Sequence, residues 1–156
     1  MQHPPPGRPA LSSPGFSLVA VVIAVSFLGM VSAFAVPRFT RLAAVARASE
    51  VVALSANLRH TAQAAHAQFL AGGAHLSAST IEGKSIHLEN GYPDTGPGGI
   101  RKAVFESDDF TAQEGAGVIT FTRVGAPAAQ QCAVTYRGVP DMGAAPPVTD
   151  IDVSGC

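Results

Sequence analysis

The chain has 156 residues and a mass of 15.9 kDa, room for one domain and hardly for two. Charged residues make up 13%, against about 25% in an ordinary globular domain, while apolar residues reach 47% and the net charge is −1. A disordered chain is thereby excluded, the pI near 6.5 lacks the footprint of a basic nucleic-acid binder, and two cysteines are too few for a disulfide-scaffold miniprotein.

The first 15 residues, Met1–Gly15, are polar and proline-rich, and Arg8 is their one charged side chain. Phe16–Val36 then runs for 21 positions without a charge, and Ser17, Ser26 and Ser32 are its polar exceptions. As a helix this segment rises roughly 30 Å, the thickness of a bilayer core, and a core helix in so small a domain would not be apolar on every face. Three readings of this N-terminus compete. A secretory signal peptide would be cut after Ala35, in the small-x-small string Ala33-Phe34-Ala35, leaving a small secreted binding module; the apolar run is longer than the usual h-region. A simple anchor would place Arg38, Arg41 and Arg47 on the cytoplasmic side by the positive-inside rule. In the third reading the cut falls between Gly15 and Phe16 and the apolar helix stays on the mature chain.

From Arg38 to Leu70 the pattern is that of an amphipathic helix. Leu54, Leu58, Ala62, Ala65 and Phe69 recur at four- and three-residue steps, and Val45 and Val52 extend the stripe backwards, with Arg47, Glu50, Arg59 and Gln63 between them. Gly72-Gly73 is the stop signal. Pro37 lies inside an otherwise helical pattern and is expected to kink the helix rather than end it, so residues 16–70 read as one helix of about 50 residues, against an average of 11–12. The segment divides into an apolar half, 16–36, and an amphipathic stem, 37–70.

From residue 71 to 156 the composition changes to that of a β-rich head, with turn signals between short runs. Ser85–Leu88 alternates and leads into Asn90-Gly91-Tyr92-Pro93, and Ile100–Phe105 reads as a short helical turn. Val118–Thr122, Ala133–Arg137 and Val148–Val153 read as strands, the last half-buried by its alternation. Short links between consecutive strands imply one antiparallel sheet, whose apolar face would cover the stripe of the stem helix. The fold class is therefore α+β. Cys132 and Cys156 would close 25 residues, and a bond there would contribute roughly 3–4 kcal/mol by loop entropy and pin a terminus that otherwise frays. Two unrelated buried thiols are the alternative, and a metal site is disfavoured because no Cys-x-x-Cys pair accompanies them. A disulfide implies an oxidising compartment for the head.

No chemistry emerges from the remaining residues. His60 and His66 stand six apart, on different faces of a helix, and His75 and His87 lack ligand-spaced neighbours. No nucleophile motif surrounds any serine, and Gly96–Gly99 lacks the context of a phosphate loop. Asp108-Asp109 reads as a turn or helix cap. Asp150 and Asp152 share one side of a strand, a solvated face in the first instance and a calcium site in the second. The chain is not expected to be an enzyme, to carry a metal or to need a cofactor. Charge is uneven: Arg38–Arg59 holds four arginines and Glu50, a balance of +3, whereas residues beyond 59 hold five basic and ten acidic side chains, a balance of −5. Basic stems and acidic heads would complement each other between neighbouring copies and guide register.

The string Gly15-Phe16-Ser17-Leu18, the charge-free run behind it and Pro37-Arg38-Phe39, with Pro37 the twenty-second residue from Phe16, resemble a type IV prepilin. The pattern Cys132-Ala-Val-Thr-Tyr136, a proline-containing loop and Ser154-Gly155-Cys156 is similar to the mannose-sensitive haemagglutinin pilins, as are Asn90–Pro93 and the Ile119–Phe121 strand. The resemblance implies cleavage after Gly15, N-methylation of Phe16, the type IV pilin fold and polymerisation through the N-terminal helix. It further implies a prepilin peptidase, a platform protein and an assembly ATPase as partners. The subunit would lie in a bacterial inner membrane with a periplasmic head before assembly, and in an extracellular pilus or periplasmic pseudopilus after it. The function implied is structural, serving adhesion, motility or a related surface process, in a homo- or hetero-polymer. One position departs from the family: Ala20 stands where the family carries a glutamate that meets a neighbour's N-terminal amine. A buried pair of that kind sets register more than it stabilises, and its loss points toward a minor pilin or a type II secretion pseudopilin.

Overall fold

The computed structural model of the chain describes residues 17–104, 108–141, 143 and 145–156, with side chains at all of these but 36 and 37. Two compact units divide at Thr40 and Arg41, and each is taken by itself. Helix α1 (Leu18–Ala71, 54 residues) supplies the described part of the first unit and the opening element of the second. Its helical backbone runs on through Pro37, so the proline does not end it. Gly15, Phe16 and the leader before them lie outside the described residues.

The second unit holds β1 (Ala78–Ile81), β2 (Lys84–Glu89), β3 (Tyr92–Pro93), α2 (Ile100–Val104), β4 (Phe110–Gly115), β5 (Val118–Arg123), a 3-10 turn at Ala129–Gln131, β6 (Ala133–Arg137) and β7 (Val148–Asp152). The single sheet expected from the strand runs is two antiparallel sheets, ordered β1-β2-β3 and β4-β5-β6-β7. The three-stranded sheet is built by two tight turns. Glu82-Gly83 joins Ile81 to Lys84 and Asn90-Gly91 joins Glu89 to Tyr92, with positive φ at all four loop residues, as a two-residue hairpin of the right twist requires. Strands β1 and β4 carry too weak an alternation to be read from sequence. Helix α2 ends at Val104; Phe105, the expected last residue of that turn, lies outside the described residues.

The end of α1 follows the stop signal. Gly73 lies at φ 82°, its amide donates to the Leu70 carbonyl (3.2 Å), and the Ala74 amide donates to the Phe69 carbonyl (3.0 Å). This is the paired bonding of a Schellman end, where a glycine takes the left-handed position without a Cβ penalty.

The core of the head forms where one stripe of α1 meets the inner face of the four-stranded sheet. Val51, Leu54, Leu58 and Ala62 pack with Ile119 and Phe121 of β5 and Val134 and Tyr136 of β6, joined by Ile100 and the two cysteines. The register places Ile119 opposite Tyr136 and Phe121 opposite Val134, so the two central strands present their bulk to the helix together. Ala65 and Phe69 continue the buried stripe, and the Phe69 ring lies against Gly91, where any Cβ would approach it to 2.7 Å. The backward extension of the stripe is corrected: Val45 and Val52 are exposed, and Val51 with Ala48 takes their place. A 3.6-residue period, followed back from Leu54 and Leu58, selects Val51 rather than Val52.

Strand β7 is a second correction. It lies at the sheet edge, and Thr149 alone of its five residues is buried, while Val148 and Ile151 remain exposed. Its apolar residues do not keep a period of two: Val148 shares a face with Asp150 and Asp152, Ile151 with Thr149.

Tyr136 joins the two sheets. It is fully buried, and its hydroxyl donates to the Pro93 carbonyl at 2.9 Å. Burial, with Asp94 and Tyr92 adding to it, pushes the phenol well above its usual range, so it remains a donor at any ordinary pH. Removing the hydroxyl leaves a buried carbonyl unpaired. Tyr136→Phe is expected to cost about 1–3 kcal/mol, read from denaturant unfolding of the full chain; a loss below a few tenths would show that water replaces the bond.

Candidate functional site

In the first unit, the apolar helical residues turn every face outward. No residue of its most apolar 18-residue stretch is buried, and the helix is long and apolar enough to cross a membrane. Phe27 and Phe34 are 67% and 75% exposed. Of the run's three serines, the two inside the helix bond back onto it: Ser26 Oγ donates to the Val22 carbonyl and Ser32 Oγ to the Leu28 carbonyl, each at 2.8 Å. With backbone groups paired along the helix and both hydroxyls bonded four residues back, these stretches ask nothing of water, the condition for residence in lipid or a dry protein bundle. Ala20 is exposed on this segment, and residues 17–36 contain no ionisable side chain. At Gly29 an added Cβ would meet nothing within 4 Å, so nothing in the chain itself requires a glycine there. Small residues at Ala20, Ala24, Gly29, Ala33 and Ala35 are of the kind that permit close helix approach.

In the second unit, three arginines and a disulfide hold the head on its helix. Cys132 and Cys156 are bonded, with Sγ atoms 2.02 Å apart and Cα atoms 4.8 Å apart, so the cysteines are not two separate thiols. The bond ties the start of β6 to the residues beyond β7. Gly155 sits in the same place because nothing larger fits: a Cβ would come within 2.6 Å of the Ala128 carbonyl oxygen, and its amide donates to the Gln131 carbonyl at 2.9 Å. From the helix, Arg47 Nε donates to the Cys156 main-chain oxygen. Just over three turns on, Arg59 donates through Nε to Thr149 Oγ1 and through Nη2 to the Thr149 carbonyl. In return, Arg123 of β5 reaches Glu50 of the helix, pairs with Asp109 Oδ1 (3.2 Å), donates to the Asp109 and Val124 carbonyls, and lies over the Phe110 ring. Two of the four stem arginines and the stem's one acid are thus engaged within the chain's own head. These charges therefore serve contacts within the chain. No spacing signalled them, since the partners lie 73 to 109 residues away.

The other singled-out residues fall as follows. His66 Nδ1 lies 3.0 Å from the Gly91 carbonyl oxygen and its ring stacks on Tyr92 at 4.1 Å, while His60 is exposed on another face of the helix. Asp108-Asp109 forms a turn. Asp150 and Asp152 share the outer face of β7. Arg137 pairs with Asp150 at 3.3 Å, and Asp152 accepts from the Ser154 hydroxyl and amide (2.6 and 2.9 Å), bonds that hold its carboxyl below the usual range. Among the described residues no three His, Cys, Asp or Glu side chains converge on a metal-sized site. Comparison with protein-family models, characterised proteins and solved structures gave no match.

The disulfide and the arginine contacts act on the same end of the head. Cys132→Ser with Cys156→Ser is expected to lower the unfolding free energy of the full chain by roughly 3–4 kcal/mol, measured by denaturant titration without reductant. An unchanged midpoint would mean that Arg47 and the packing of Gly155 suffice to hold residues 153–156 in place.

Proposed function

We propose that this chain is a structural subunit of a type IV pilus or a related pseudopilus, held in a membrane and then in a polymer by one and the same apolar helix. The observation that carries the reading is the fully exposed, self-satisfied helical segment of the first unit, on the same chain as an α+β head closed by a disulfide. Such a segment is unstable in water and needs a partner on every side. Lipid supplies one, and copies of the same helix supply another.

The resemblance at Gly15-Phe16 gives the reading its processing step, with cleavage after Gly15 and methylation of the Phe16 amine. A signal peptide cut after Ala35 fits less well, because that bond lies within α1, which continues to Ala71. The disulfide supports a head on the oxidising side of the membrane. Prepilin peptidase, platform protein and assembly ATPase are the partners this reading entails. A contact between copies that repeats without closing produces a filament, and fold alone does not decide whether it serves adhesion, motility or secretion.

Ala20 favours a place as a minor pilin or pseudopilin subunit. With no carboxylate on residues 17–36, a neighbour's terminal amine finds no acid there. Ala20→Glu is expected to raise the amount of the chain recovered in sheared filaments from its native host. Unchanged recovery would show that the missing acid does not limit its incorporation.

Intact mass and N-terminal sequence of the protein from its native host test the whole reading. The expected result is a chain starting at N-methylated Phe16 with two hydrogens missing for the disulfide. A start at Val36 would mean that the apolar run is discarded, and the proposal would fall.

A further inference from the structure

Within the second unit, the helix face beyond Arg59 and the segment leading into β7 enclose a groove of about 520 Å³, within the size range of small-molecule sites. Its walls are apolar: Ala62, Ala67 and Leu70 from the helix, Pro146, Pro147 and Val148 opposite, and Tyr92 and Tyr136 at the base. Three polar side chains line the same groove from successive turns of the helix, Arg59, Gln63 and His66.

The charge of this lining is unlike that of the head around it. Residues beyond 59 carry ten acids and five bases, yet among the described residues no Asp or Glu lines the groove, and its charged member there is Arg59. Among the described residues Arg59 makes no ion pair; its bonds go to the hydroxyl and carbonyl of Thr149. Those bonds use Nε and one Nη2 hydrogen. A guanidinium has five N–H donors in a rigid plane, so Nη1 keeps two, on a head group already fixed in position. Gln63 follows Arg59 by one helical turn and adds an amide on the same face. His66 is oriented by its bond to Gly91 and its stack on Tyr92.

We propose that this groove binds a small amphipathic carboxylate, its apolar or aromatic body on Tyr92, Pro146, Pro147 and Val148 and its anionic head on Arg59. A cation held by neutral oxygens beside an apolar trough complements an acid with a hydrophobic body. Charge-assisted bonds to an arginine are about twice as strong as neutral ones, which sets the acid apart from its uncharged analogues. The site belongs to the head and does not depend on how the chain assembles.

The test uses the full chain in phosphatidylcholine nanodiscs, titrated with a fluorinated 2-naphthoate and, separately, with the matching carboxamide. Both are followed by fluorine NMR, and lipid-only discs correct for partitioning. The expected result is saturable binding of the acid at roughly millimolar concentration, near the range for a ligand of this size, with the amide weaker by about tenfold. Arg59→Gln should remove that difference by weakening the acid and leaving the amide unchanged, an outcome that general loosening of the head would not give. Ala67→Phe, which fills the groove from an exposed helix position without touching Arg59, should abolish both. Equal binding of acid and amide to the unaltered chain, undiminished binding to Ala67→Phe, or no saturable binding would each overturn the proposal.

Discussion

The head depends on one contact, the stripe Val51, Leu54, Leu58 and Ala62 laid against Ile119, Phe121, Val134 and Tyr136. A four-stranded antiparallel sheet with one apolar face is not stable alone in water, and the helix is what covers it. That requirement explains the change of pattern along α1. Where the helix lies on the sheet, apolar residues keep to one stripe and charges flank it. Residues 17–36 carry no charge on any face. The same element obeys two solvent rules in sequence, and the change between them is written in the spacing of its leucines, valines and arginines.

The contacts that reinforce the helix–sheet interface are polar and come in both directions. Arg47 and Arg59 reach from the helix to the residues around β7, while Arg123 reaches from β5 back to Glu50. Surface ion pairs are individually weak. Here, however, guanidinium groups also bond to main-chain oxygens at four points, Thr149, Asp109, Val124 and Cys156, and so fix backbone positions as well as charges. With the disulfide and the tight seat of Gly155, these bonds hold the edge strand, which buries only Thr149 and would otherwise have little to keep it on the sheet. The exposed side of that edge carries Asp150 and Asp152, charges of the kind that discourage strand addition at an open edge.

Much of this was legible residue by residue. The helix stop at Gly72-Gly73, the buried positions from Leu54 to Phe69, β5 and β6, and the α+β class are local patterns, and the structure has them where the periods place them. The rest was hidden for particular reasons. Val45 and Val52 are apolar and suggest a longer stripe by composition, but the helical period points to Val51, and that is the residue buried. Strand β7 looked half-buried because it is rich in Val and Ile, although its apolar residues change face between Val148 and Ile151. Strands β1 and β4 are not legible in the sequence because their Ala, Ser, Gln and Glu hold no apolar period. Two sheets in place of one follow from the turns at Glu82-Gly83 and Asn90-Gly91, which close β1–β3 on themselves before the larger sheet begins.

By itself the sequence determined the existence of a charge-free span long enough for a bilayer, the amphipathic stretch behind it and the β character of the rest, because charge, length and periodicity are properties of neighbouring residues. It allowed its two cysteines one internal bond, and the structure showed that the bond is made. Only the tertiary structure decided that Arg47, Arg59 and Arg123 serve the chain's own head, that Tyr136 bonds Pro93 across two sheets, and that the groove beside Arg59 has no acid among the described residues of its walls. These facts join residues 43 to 109 positions apart, and at that separation only the folding of the chain determines which side chains meet.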